Sequence, residues 1–205
     1  MEEELEEPLL AEGWVADDVR EEFPELRLRT LAVPRGSGKT PPEVRDRLRL
    51  LSDRFRGAQA VALRRAPIPS AYRVFFRHVG LDPDTTRTPV EEAAVQRLVK
   101  GGFIPTNLLD DALLVALVET GVPLWALDAD RVREPLGIGT TADGRLAVSD
   151  ADGPLATLFG EIAPGRGVTR TTTRMLIYTV QVPGVPAIFV DEAMWTCLGV
   201  LQDGG

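Results

Sequence analysis

The stretch NLLDDALLVALVETG, residues 107–121, sets the tightest limit on the fold. Its apolar residues fall on nearly every side of a helix. A helix apolar all round has no face to give to water, so other elements must cover it on every side. That demand puts it at the centre of a layered domain. Asn107 reads as its N-cap and Gly121 as the residue just past its end. Asp110 and Asp111 fall in the first turn, where carboxylates suit the helix dipole.

The covering elements can be read on both sides of it. Upstream, Val44, Leu48, Leu51 and Phe55 make an apolar stripe that predicts a helix over 41–56. SAYRVFFRHVG predicts a second helix closed by Gly80. Thr88-Pro89-Val90-Glu91 has the form of a capping box and opens a third helix, which stops at Gly101-Gly102. ELRLRTLAV (25–33) alternates like a strand, and AQAVAL (58–63) is another strand candidate. Downstream the character changes. WALDAD, the LGIG run, RLAVSD, PLATLFG and RMLIYTVQV are strand-like segments separated by turn residues. PAIFVDEAMWTCLGVL closes the chain as an amphipathic helix. Helices in the first half and strands in the second indicate α+β, a single compact layered domain. The expected organisation is an acidic, disordered tail over 1–12 and one domain over 13–205.

Composition narrows the function classes. The chain has 205 residues, 44% hydrophobic and 26% charged, ordinary for a globular protein able to bury a sizeable core. No apolar run reaches the roughly 18 to 20 residues of a membrane span, and the acidic start lacks the basic beginning of a signal peptide. One cysteine, Cys197, excludes an internal disulfide and a multi-cysteine zinc site. The single histidine, His78, cannot form half of a two-histidine metal site and reads as a helix-end residue. A cytoplasmic protein without a metal is expected.

PRGSGKT, residues 34–40, ends like a nucleotide-binding loop, but the first glycine of that loop would fall at Val33. A branched residue there blocks the curl that points backbone N–H groups at phosphate. Thr40-Pro41-Pro42-Glu43 instead reads as a capping box with Thr40 as N-cap. No nucleotide is therefore expected at Gly-Lys-Thr.

The net charge of −8 is unevenly spread. Residues 1–25 hold eleven acidic side chains and one arginine. Residues 27–77 hold thirteen basic ones against Glu43, Asp46 and Asp53. Arg45, Arg49 and Arg56 fall on one side of the 41–56 helix, either a solvated basic face or an RNA-backbone footprint.

Residues 71–128 carry a more specific series. It comprises the Tyr-Arg helix before Gly80-Leu81-Asp82-Pro83, then Thr86-Arg87-Thr88-Pro89, then the aspartate-led helix at Asp110-Asp111. Glu119-Thr120-Gly121-Val122-Pro123 then runs into Trp125-Ala126-Leu127-Asp128. This series resembles the tRNA-binding and editing domain of the phenylalanyl-tRNA synthetase beta subunit, and in particular stand-alone proteins built from that domain. Leu136-Gly137-Ile138, Ala147-Val148-Ser149-Asp150 and Leu158-Phe159-Gly160-Glu161 continue the likeness more loosely. The resemblance implies an α+β fold with a β-sandwich-like part, no metal and no cofactor, and tRNA or aminoacyl-tRNA as partner. In that family the domain hydrolyses wrongly charged tRNA. Carried over, Glu161 takes the place of the editing glutamate, while Asn107, Asp111, Trp125 and Arg174 are substrate-binding candidates. Arg170 joins Arg174 as a candidate to meet phosphate. Trp125 stands where the family has a histidine, so an N–H donor replaces a group able to act as a base.

Two functional readings follow. One is a deacylase acting in trans on mischarged tRNA. The other is a catalytically inactive module that binds an amino acid, an aminoacyl end or a protein partner.

Overall fold

The computed structural model describes residues 10–55, 57–63 and 65–203. The chain enters through two short strands, β1 (Leu10–Glu12) and β2 (Trp14–Val15), and the helix α1 (Asp17–Glu22). Strand β3 (Arg27–Val33) follows. Five helices come next: α2 (Pro42–Arg54), α3 (Gly57–Leu63), α4 (Pro67–His78), α5 (Pro89–Lys100) and α6 (Leu108–Thr120). The second half carries β4 (Trp125–Asp128), β5 (Gly137–Thr140), β6 (Leu146–Asp150), β7 (Gly153–Thr157), β8 (Met175–Gln181) and the closing helix α7 (Ala187–Asp203).

The strands form two four-stranded sheets. One is antiparallel throughout, in the order β1-β3-β8-β4. Its central strand β8 is buried at every residue from Met175 to Val180, which explains a run so continuously apolar. The other sheet, β2-β5-β6-β7, joins β2 to β5 in parallel and is otherwise antiparallel. Its first pair depends on a missing side chain: a Cβ on Gly137 would lie 1.9 Å from the Trp14 indole, which covers that position. The result is an α+β fold with mixed sheets, as the segregated pattern predicts.

Helix α6 is the hub. It packs against α7, α2 and α5, and Leu108, Ala112, Val115 and Ala116 have no exposed surface. Asn107 Oδ1 accepts the Asp110 N–H at 3.0 Å as its cap, and Gly121 closes it with φ near 78°. Helix α5 has the expected capping box, with Thr88 N–H and Oγ1 each 3.1 Å from a Glu91 carboxylate oxygen. His78 is the last residue of α4 and is exposed.

Three local expectations are corrected. AQAVAL lies in helix α3, not in a strand. The run is alanine-rich, and alanine favours helix most strongly while a six-residue apolar run carries no period of its own. Thr40 does not cap α2: the N-cap is Pro41, with no side-chain hydrogen bond. Leu10–Glu12, assigned to the tail, pair with β3 as β1, and residues 1–9 lie outside the described residues.

Candidate functional site

Most cations of the basic segment are already paired within the fold. Arg27 and Arg29 reach Glu12, and Arg29 also reaches Asp191. Arg47 grips Glu119 with two bonds of 3.0 and 2.6 Å, joining α2 to α6. Arg73 bonds Asp84 and Glu91. Of the three arginines expected on one basic face, Arg49 is held by Asp46 at 2.8 Å. Arg56 lies outside the described residues. Arg45 is exposed and forms no ion pair with a described residue.

Arg45 opens onto a cavity of about 1190 Å³ between three loops, 36–40 before α2, 105–107 before α6 and 168–172 before β8. Its lining includes Ser37, Lys39, Asn107, Asp110, Thr169 and Arg170. PRGSGKT and the segment of Arg170 stand far apart in the sequence, yet here their loops face each other. A Cβ on Gly36 would meet the Thr172 carbonyl oxygen at 2.2 Å, so these two loops approach as closely as the backbone allows.

The walls are fastened by polar groups that the core has enclosed. Asp111 has no exposed surface, and its carboxylate accepts from Thr40 Oγ1 at 2.5 Å, Thr106 N–H at 3.0 Å and Thr106 Oγ1 at 3.3 Å. Asp111 therefore clamps loop 36–40 to loop 105–107. A buried carboxylate persists only when its oxygens are met this way. Ser37 Oγ donates to Asn107 Oδ1 at 2.7 Å beside it. On the third wall, Thr172 Oγ1 donates to Asp128 Oδ2 at 2.7 Å and accepts the Thr169 N–H at 2.9 Å. The clamp explains why Thr40 cannot be a cap: its hydroxyl is turned inward to Asp111.

The other residues singled out by sequence lie elsewhere. Trp125 is half-buried in an aromatic cluster, stacked on Tyr178 with centroids 5.6 Å apart and tilted against Phe159 at 6.1 Å. Phe159 is itself stacked on Phe76 at 4.8 Å and meets Phe75 and Tyr72 edge-on. The Tyr178 hydroxyl is buried without a hydrogen-bond partner among the described residues, and burial pushes its acidity far below that of a free phenol. Glu161 is exposed in the turn after β7 and lines a separate groove with Arg145, Thr157 and Ile162. Arg174 is exposed and faces Asp130 at 3.3 Å, while Arg170 lines the large cavity. Asp111, Trp125 and Glu161 thus occupy three different settings. Cys197 is buried, and burial pushes its thiol up to about 12. Among the described residues, no group of three or more His, Cys, Asp or Glu is placed to hold a metal ion. No described helix is long and apolar enough to cross a membrane.

The fold and cleft define an α+β protein with a preformed, cation-bearing cavity built from three loops. No family model matches the chain. Part of it is related to phenylalanine–tRNA ligase beta subunits. It is 36% identical over 93 residues to that of Xylella fastidiosa (strain Temecula1), covering 38% of this chain and 11% of the relative. It is 34% identical over 116 residues to that of Xanthomonas campestris pv. campestris (strain 8004), covering 48% of this chain and 14% of the relative. The chain therefore spans only a small fraction of the length of the curated relatives it matches.

Proposed function

We propose that this protein is a tRNA-binding module in translation that works in the cytoplasm and uses the loop cavity as its contact surface, without hydrolysing the aminoacyl ester. The observation that carries the reading is the convergence of Lys39, Arg45 and Arg170 on one cavity. None of the three makes an ion pair with a described residue. Cations kept out of ion pairs and gathered on one concave surface suit a polyanion. The relation to a tRNA ligase subunit makes tRNA the polyanion of choice.

The deacylase reading has weaker support. Ester hydrolysis needs a positioned water, a base and donors facing the developing oxyanion. Trp125 is packed among rings where the resemblance calls for a histidine, and Glu161 stands exposed on another surface.

The test has two arms. In the first, fluorescently labelled tRNA is titrated with the protein at low salt, and saturable binding that weakens as salt rises is expected. In the second, phenylalanine tRNA charged with tyrosine is incubated with micromolar protein, and its ester half-life should not change. Acceleration that Glu161→Ala abolishes would overturn the non-hydrolytic reading. Failure to bind any tRNA would overturn the module itself.

A further inference from the structure

We propose that the loop cavity takes the sugar-phosphate backbone of a single RNA strand, with one phosphate per cation, and reads no base. The proposal rests on the preceding reading for the choice of RNA and adds what part of the RNA is held and how.

The distribution of donors decides between a phosphate cradle and a backbone groove. A cradle for one phosphate group uses free N–H groups at a helix start. The helices facing this cavity offer few of them. Pro41 and Pro42 leave the start of α2 without two N–H groups. At the start of α6 the Asp110 N–H is already taken by Asn107. The positive charge of the lining comes from three side-chain cations, each on a flexible stem and each from a different part of the wall: Lys39 from loop 36–40, Arg45 from the first turns of α2 and Arg170 from loop 168–172. Separated point charges match the successive phosphates of an extended strand better than one compact anion.

The lining also limits what is read. It contains no aromatic side chain. Sequence-tolerant strand binders stack bases on aromatic rings, and base-specific ones present amides or carboxylates to base edges. Here the amide of Asn107 is occupied by Ser37, by the Asp110 N–H and by the Asp110 carboxylate, to which its Nδ2 donates at 2.6 Å. Among the described residues Asp110 is the one carboxylate in the lining, and that bond holds it against the wall. The hydroxyls of Ser37 and Thr106 donate to Asn107 and Asp111, so toward a ligand their oxygens can accept from ribose hydroxyls. At about 1190 Å³ the cavity also exceeds the roughly 300–1,000 Å³ of ordinary small-molecule pockets. The walls need no rearrangement, because the Thr40–Asp111–Thr106 and Thr172–Asp128 bonds hold the three loops in register.

The experiment measures anisotropy of labelled homopolymers of about eight nucleotides: oligo-rA, oligo-rU, oligo-rC, an oligo-dT strand and an RNA duplex, with whole tRNA in parallel. The three RNA homopolymers should bind within about threefold of one another, since no contact distinguishes them, and the duplex should bind more weakly. The salt dependence should have a log–log slope of about −2 for three phosphates on a single strand, and each single cation removed should reduce it by about 0.7. The double variant R45A/R170A should lose at least about tenfold in affinity at low salt. Arg174→Ala, outside the cavity, should bind like the parent. Circular dichroism confirms that the variants keep the fold, and all three cations are exposed enough for that.

Outcomes separate the two claims. If R45A/R170A weakens tRNA binding but the homopolymers differ by more than about tenfold, the backbone-groove proposal fails and the tRNA module stands. If the double variant binds tRNA unchanged, the cavity is not the contact surface and both claims fail. Oligo-dT or duplex binding tighter than any RNA strand would also sink it. If the homopolymers bind and whole tRNA does not, the module reading fails instead.

Discussion

Strand β4 is four residues long, and its two ends belong to different kinds of region. Trp125 at one end is stacked on Tyr178 in a cluster with Phe159, Phe76 and Tyr72. Asp128 at the other accepts the Thr172 hydroxyl on the wall of the loop cavity. The first region is held by ring packing, non-directional and proportional to area. The second is held by a few directional bonds to buried carboxylates, each costly to leave unmade. The aromatic end can lose specificity without losing the fold of the cavity, whereas each bond at the polar end shapes the binding surface.

The largest effect should come from emptying the aromatic region. Phe76 is 1% exposed and stacked on Phe159. Phe76→Ala should cost about 3–5 kcal/mol in a denaturant titration. Affinity of the surviving folded fraction for single-stranded RNA should stay within about twofold, since the cavity shares no residue with the cluster. A variant that also lost RNA binding while folded would show that the two regions are one.

The aromatic region should also answer to alkali. Both tyrosines of the chain, Tyr72 and Tyr178, are buried, and burial raises the pKa of both above the usual 10.0. The neutral phenol is favoured in the fold, so the contribution is fully present below pH 10. It is lost as pH rises, because the unfolded chain ionises first. Each phenol should remove about 1.4 kcal/mol per pH unit above that point. Absorbance of tyrosinate should appear only together with loss of the circular dichroism signal. Appearance of tyrosinate in folded protein near pH 10 would mean that the cluster admits water.

At the polar end, Asp111→Ala removes three accepted bonds at once. A stability loss of about 2–3 kcal/mol is expected, smaller than for Phe76. Unlike the ring substitution, it should weaken RNA binding severalfold because loops 36–40 and 105–107 lose their common anchor. Thr40→Ala should cost about 1–2 kcal/mol and add little on top of Asp111→Ala, as expected for two residues in one network. Thr40→Asp separates this clamp from a helix cap. Aspartate is as good a cap as threonine, but here it would set a second carboxylate against Asp111. A Thr40→Asp protein as stable as the parent would restore the cap that the sequence suggested.

How much of this was legible follows from the range of the interactions. Local signals read well: the apolar helix α6, the Thr88 capping box, Gly101 and Gly121 as helix ends, and the run of downstream strands are all set by residues a few positions apart. AQAVAL misled because six alanine-rich residues carry no period. Trp14–Val15 gave no signal because two residues are too few for one, and the strand exists only where Gly137 leaves room for the indole. The cavity was unreadable for a different reason. Its bonds span sequence separations of 71 residues for Thr40 to Asp111 and 70 for Ser37 to Asn107. No local pattern announces which aspartate a threonine will meet. The resemblance singles out Asp111 as a substrate-binding candidate; in the fold it is buried and bonded to Thr40 and Thr106.

The smallest effect, and the finest test of the contrast, concerns Lys39. It is exposed, lines the cavity and carries none of the bonds that fasten the walls. Lys39→Ala should therefore leave stability within about 0.5 kcal/mol of the parent, even though Thr40, its neighbour, does not tolerate change. The same variant tells a cation in a groove from the lysine of a nucleotide loop. In such a loop the hydroxyl after the lysine ligates magnesium and the N–H groups of the turn wrap the phosphates. Here that hydroxyl donates to Asp111, Val33 is paired in β3 with Met175, and two prolines follow. A thermal-shift titration should thus show no saturable stabilisation by magnesium-ATP, and no difference between parent and Lys39→Ala. Magnesium also neutralises the triphosphate, so a groove of loose cations gains less from the complex than from the bare nucleotide. A saturable, magnesium-dependent stabilisation that Lys39→Ala abolishes would mean that loop 36–40 reorganises around nucleotide. The Thr40–Asp111 bond would then be the state it leaves, and the polar region would be held no more firmly than a ligand allows.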